Sequence, residues 1–127
     1  MNTLDIPATP KTPAVRLEPG AGLLAIDGCS VHENADAFFR PIYQELTRYS
    51  ASPARETVLQ VALTYFNSTS AKYLLDIFRL LEDLHREGRS KVRLEWRCAS
   101  DDLDMQEAGN DYRQLLEFPV KVVLRQV

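Results

Sequence analysis

Residues 65–72 read YFNSTSAK and gather the side chains best suited to chemistry: Asn67, Ser68, Thr69 and Ser70, with Lys72 close behind. A β-rich run, ETVLQVALTYF, precedes them, and a long amphipathic run, AKYLLDIFRLLEDLHREG, follows. The hydroxyls therefore crowd a strand-to-helix junction. Two kinds of chemistry fit that position. As a cap, a Ser, Thr or Asn oxygen accepts a hydrogen bond from an orphan backbone N–H, worth about 1 kcal/mol. As a modification site, a hydroxyl at a helix N-terminus suits a phosphate, because the free N–H groups and the helix dipole favour its charge. Phosphorylation would add about −1.5 to −2 charges, and Lys72, one turn along, could pair with them. The residue types alone leave both readings open.

Other candidates are weaker. SVHEN joins a strand to a helix, and there Glu33 and Asn34 cap and charge a first turn. Asp101, Asp102 and Asp104 read as a solvated helix start rather than a catalytic pair. His32 follows Cys29 by three residues, a faint hint of a metal, but the second histidine, His85, lies on a helix. A stable site needs three or four converging ligands, so neither a metal nor a cofactor is expected. Cys29 and Cys98 each end or follow a strand and read as small buried hydrophobes, and a reducing compartment disfavours a disulfide. No Ser-His-Asp set suggests itself, and PGAG lacks the phosphate-loop pattern. The expectation is a protein that is not itself an enzyme. A module holding a nucleotide or other anion non-covalently at the same helix start is the alternative.

Composition narrows the domain count and the classes of partner. At 127 residues the chain is long enough for one domain with a real core. Apolar content of 45% and charged content of 26% are ordinary for a globular protein. A net charge of −3 gives no basic footprint, so nucleic acid is not an expected partner. No apolar run approaches the ~18 residues of a membrane span. MNTLDIPATPKTP lacks the basic start and apolar stretch of a signal peptide. A cytoplasmic protein without a membrane partner is expected.

The elements that must position the junction follow from periodicity. Residues 1–13 hold three prolines and three threonines and read as an extended N-terminal arm. AVRLE, the turn PGAG and LLAIDG predict a β-hairpin. HENADAFFRPIYQELTRY predicts a helix capped by Asn34, with Phe38, Ile42, Leu46 and Tyr49 as its apolar stripe and Phe39 widening it. Pro41 falls inside that run, predicting a kink or a true start near Arg40. ETVLQVALTYF has apolar residues in both parities, with Val58, Ala62 and Phe66 opposite Leu59, Val61 and Leu63. That predicts a central strand covered at least partly on both faces.

The next helix, from about Thr69 to Glu87, has a polar stripe of Lys72, Asp76, Arg79, Asp83 and Arg86. Its apolar arc is wider than one sheet face requires, so a second element or a partner must cover it. Gly88 stops it. KVRLEWRC alternates strictly, with one face core and one wet. DDLDMQEAGNDYRQLL predicts a weaker helix with Asp101 or Asp102 as cap and Gly109 as a soft spot, and PVKVVLRQV a final strand. The order β-β-α-β-α-β-α-β predicts an α/β domain with a mixed, mostly parallel sheet and helices mainly on one face.

These stretches together resemble the SiaC family of bacterial regulatory phosphoproteins, small single-domain proteins related in fold to the STAS domains. The resemblance spans nearly the whole chain. It rests on TPKTPAV, IDGCSVHENADAFFRPI, LTYFNSTSAKYLLDIFRLLEDLHREG, VRLEWRC and DDLDMQEAGNDYRQLLEFPVKV. Where the family usually reads Gly-x-Ser-x-Pro-Glu-Asn, this chain has His32 at the proline position. The resemblance implies a partner switch. In the family a serine/threonine protein kinase phosphorylates the hydroxyl after the junction Asn, and a PP2C-type phosphatase removes the phosphate. The unmodified form binds and activates a diguanylate cyclase, raising cyclic di-GMP and promoting biofilm. Carried over, the acceptor is Ser68, with Thr69 as the alternative. Asn67, Thr69, Ser70, Lys72, Glu33 and Asn34 are expected to form the partner-binding junction. An anti-sigma-antagonist type of switch with a different target is the other reading the fold would allow.

Overall fold

Strict alternation in Lys91–Ala99 buries Val92, Leu94, Trp96 and Cys98 on one face of a strand and leaves its charged residues on the other. The computed structural model describes residues 3–126, so Met1, Asn2 and Val127, parts of the expected arm and final strand, lie outside the described residues. The chain runs β1 (Leu4–Ile6), β2 (Ala14–Glu18), β3 (Leu23–Ser30), α1 (Ala35–Ala51), β4 (Glu56–Phe66), α2 (Ser68–Arg86), β5 (Lys91–Ala99), α3 (Leu103–Leu115) and β6 (Val120–Arg125). The strands form one six-stranded sheet in sequence order. β1, β2 and β3 pair antiparallel, and β3 through β6 pair parallel. The sheet is thus mixed, as expected.

Parallel neighbours joined by crossovers of one hand, always stepping the same way, place every connecting helix on the same face. All three helices meet that expectation. α1 packs on α2 through Phe39 and Tyr73, whose rings stack at 5.6 Å. α3 joins the other flank of α2 through Phe78 and Tyr112, 5.0 Å apart. The wide apolar arc of α2 is therefore explained by two neighbouring helices and the sheet. Leu74, Ile77, Phe78, Leu81 and Leu84 are buried there. The opposite sheet face is polar, carrying ion pairs such as Arg16–Asp5 and Arg97–Glu95.

Several expectations need correction. The N-terminal arm is not merely extended: Leu4–Ile6 form an edge strand paired with Val15–Leu17. Three residues running into Pro7 carry too little periodicity to show this, and the pairing is supplied by β2. α1 starts at Ala35, not near Arg40, with Pro41 inside it. Proline φ suits a helix, and the bond it deletes belongs to the carbonyl of Ala37. Ala37 and Pro41 are both exposed, so water can serve that carbonyl. Phe39, not Phe38, lies in the buried stripe with Ala35, Ile42, Leu46 and Tyr49. Cys98 is buried, but Cys29 is only half-buried.

Gly109 is no soft spot. A Cβ there would lie 2.5 Å from Trp96 Cδ1, so glycine is what lets α3 approach the indole. Trp96 Nε1 also donates to the Met105 carbonyl at 2.9 Å. One further residue changes face. β3 and β4 lose register between Gly28 and Cys29, where Leu63 pairs with Gly28 and Tyr65 with Cys29, leaving Thr64 extra. This bulge flips the parity of the strand end. Phe66 turns to the helix side, 5.9 Å from Trp96, and Tyr65 turns out. Phe66 thus does not belong with Val58 and Ala62.

Candidate functional site at the carboxyl edge of the sheet

The parallel strands β3, β4 and β5 end at one edge, and each feeds the N-terminus of a helix there. In open α/β sheets ligands bind outside the carboxyl ends of the strands. Three short polar side chains cap the helices: Asn34 accepts from Ala37 N–H at 3.2 Å, Asn67 from Ser70 N–H at 2.9 Å and Asp102 from Met105 N–H at 3.1 Å. The capping expectations for Asn34 and Asp102 hold. Glu33 is exposed beside Asn34. His32 Nδ1 accepts from Asn34 N–H at 3.0 Å, so this histidine stiffens the turn that enters α1. Among the described residues no group of His, Cys, Asp or Glu is arranged to hold a metal.

The three hydroxyls of the junction are not equivalent. Asn67 performs the capping, which leaves Ser68 as the first residue of α2. Ser68 and Thr69 are exposed. Ser70 is only 1% exposed and is fully engaged. Its Oγ donates to the Ser30 carbonyl at 2.9 Å and accepts from Ser30 Oγ at 2.8 Å. Asn67 N–H donates to the same carbonyl at 3.1 Å. Ser70 therefore rivets the first turn of α2 to the end of β3. A phosphotransferase would meet Ser68 and Thr69 in solvent, not Ser70.

The first turn of α2 holds no acidic residue, so nothing on that turn opposes an added anion. Lys72 follows one turn later, and its Nζ lies over the Tyr73 ring, 5.2 Å from the centroid. Tyr73 reaches α1, where its hydroxyl donates to Asp36 Oδ1 at 2.9 Å. That hydrogen bond, with burial and the Asp36 charge, pushes the phenol above its ordinary range. Asp36 is also paired with Arg40. A groove of about 380 Å³ runs between α1 and α2, lined by Asp36, Phe39, Arg40, Tyr43, Tyr73 and Asp76.

On the other side of the junction, a cleft of about 300 Å³ lies between the bulged end of β4 and α3. Tyr65, at 58%, and Leu103, at 73%, are the largest exposed apolar groups of this edge. Sequence reasoning missed Ser30, Asp36, Tyr65 and Tyr73. Tyr73 counted as one more apolar residue of an amphipathic helix, and Tyr65 is re-aimed by a bulge that no local pattern announces. Asp101, Asp102 and Asp104 lie at the start of α3, where Asp102 has its capping role.

Comparisons with known proteins converge on one family. A family model described as "SiaC family regulatory phosphoprotein" matches residues 6–125. An uncharacterized protein of Pseudomonas aeruginosa is 33% identical over 122 residues, covering 96% of each chain. Apo-SiaC from Pseudomonas aeruginosa has a similar crystal structure, with a TM-score of 0.86 at 33% identity over 97% of this chain and 99% of that one. A chain in the crystal structure of the diguanylate cyclase SiaD in complex with its activator SiaC, from the same organism, gives a TM-score of 0.90 at 32% identity. That match covers 96% of this chain and 99% of that one.

Proposed function

Since this chain belongs to the SiaC family of regulatory phosphoproteins, we propose that it is a non-enzymatic partner switch gated by phosphorylation of Ser68. In its unmodified form it binds and activates a diguanylate cyclase, as the complex formed by its relative suggests. A serine/threonine protein kinase transfers the γ-phosphoryl group of a nucleoside triphosphate to Ser68 Oγ. The hydroxyl proton departs and the nucleoside diphosphate leaves. A PP2C-type phosphatase hydrolyses the ester and restores the hydroxyl. The output is cyclic di-GMP and, through it, biofilm formation.

The observation that carries this reading is the division of labour among adjacent polar side chains: Asn67 caps, Ser70 anchors, and Ser68, with Thr69 beside it, stands exposed. Phosphate on Ser68 would meet the free N–H groups of the α2 terminus, which stabilise it. The same charge would have to be desolvated when a partner covers the edge, which opposes docking. No rearrangement of the sheet is needed. Incubation with the cognate kinase followed by mass spectrometry should place phosphate on Ser68. Equal phosphorylation of the Ser68→Ala protein would overturn the assignment and point to Thr69.

A further inference from the structure

We infer that Lys72 reads the modification state of Ser68, its ammonium lying over the Tyr73 ring in the unmodified chain and moving to the phosphate in the modified one. This rests on Ser68 being the acceptor and adds how the charge reaches the surface between α1 and α2. Ser68 and Lys72 stand four residues apart on α2, so their side chains share one face. The acidic group would be N-terminal to the lysine, which is the favourable order on a helix. In the unmodified chain the Lys72 ammonium has no carboxylate partner among the described residues and rests on an aromatic face instead. An exposed cation–π contact is a weak hold, and a phosphate four residues away is a stronger attractor.

The move has a consequence on the neighbouring helix. Tyr73 is stacked on Phe39 and hydrogen-bonded to Asp36, so its ring stays in place when Lys72 leaves. The groove beside it holds the carboxylates of Asp36 and Asp76, and Arg40 is committed to Asp36. Asp76 has no ion-pair partner among the described residues. Loss of Lys72 from Tyr73 therefore bares an aromatic face and moves a positive charge away from a surface that keeps its acids. A partner docked across this groove on the unmodified chain would lose a positive contact without any backbone movement.

Nuclear magnetic resonance of the full chain carrying isotope-labelled lysine tests this. Before phosphorylation, the Lys72 ε-methylene signal should be displaced upfield by the Tyr73 ring current. After kinase treatment that displacement should vanish, while Lys11, Lys91 and Lys121 keep their positions. In Tyr73→Leu the displacement should be absent in both states. A Lys72 signal that stays displaced in protein shown by mass spectrometry to be fully phosphorylated on Ser68 overturns the inference and leaves the acceptor assignment standing. Absence of phosphate from Ser68 in the same spectra sinks both. As a second readout, Lys72→Met should shrink the ratio of partner affinity between unmodified and phosphorylated chains by about two- to fivefold. An unchanged ratio also counts as refutation.

Discussion

Ser70→Ala separates the anchoring hydroxyl from the switching one. Ser70 and Ser30 are 1% and 2% exposed, so neither can exchange its partner for water. Removing Ser70 Oγ deletes the bond to the Ser30 carbonyl and the bond from Ser30 Oγ. The carbonyl keeps Asn67 N–H as a donor and stays satisfied. Ser30 Oγ does not, and a buried hydroxyl is orphaned. A lost bond with an orphaned partner costs about 1–3 kcal/mol. Ser68→Ala removes an exposed hydroxyl at the start of a helix and should change stability by no more than about 0.5 kcal/mol. Adding Ser30→Ala to Ser70→Ala removes the orphan, so the double variant should lose less than the two single losses summed.

The assay is urea unfolding followed by fluorescence of the single tryptophan, Trp96, which is buried between β5 and α3 and reports the whole helix layer. Midpoints should fall for Ser70→Ala with an unchanged slope, and stay in place for Ser68→Ala. If Ser70→Ala unfolds with wild-type stability, or Ser68→Ala is the more damaging of the two, the division of roles along this turn is wrong.

Three further outcomes are expected. Gly109→Ala should destabilise by about 1–2 kcal/mol, because crowding against Trp96 outweighs the gain in helix propensity of up to about 1 kcal/mol; a raised melting temperature would refute the close approach. Burial alone would raise the Glu82 carboxyl, but the Glu117 N–H at 2.8 Å and the guanidinium groups of Arg79 and Arg86 outweigh it and hold it below the ordinary glutamate range. A lowered folded value means stability that is complete above the unfolded value and lost as pH falls through the folded one. Acid unfolding of Glu82→Gln should therefore show a shallower dependence in that window, read by circular dichroism. Ser68→Asp should weaken cyclase binding in calorimetry while leaving the melting temperature within about 2 °C; an unchanged affinity would argue against a charge gate.

Much of the architecture could be read from the chain because it follows from local rules. Strict alternation made β5 visible, with its wet face, and helical spacing made α2 visible, with Gly88 at its end in a left-handed conformation. The same holds for the hydroxyl-rich junction and for Asn34 as a cap, since capping involves neighbours within one turn. The resemblance to one family was legible for a similar reason, as the most specific stretches are the two strand-to-helix junctions at the carboxyl edge.

Other features depend on partners distant in sequence. β1 exists because β2 offers it an edge, and Phe66 faces the helices because β3 and β4 slip by one residue. Glu82 looks like an ordinary surface glutamate of an amphipathic helix, yet it is buried because the segment entering β6 brings the Glu117 N–H to it. Ser70 is withdrawn from solvent by Ser30, forty residues upstream, while Ser68 and Thr69 stay exposed. Residue types and spacing determined where the hydroxyls cluster. Only the packing of β3 against α2 decided which of them is withdrawn from water, because burial depends on the neighbours that folding brings together.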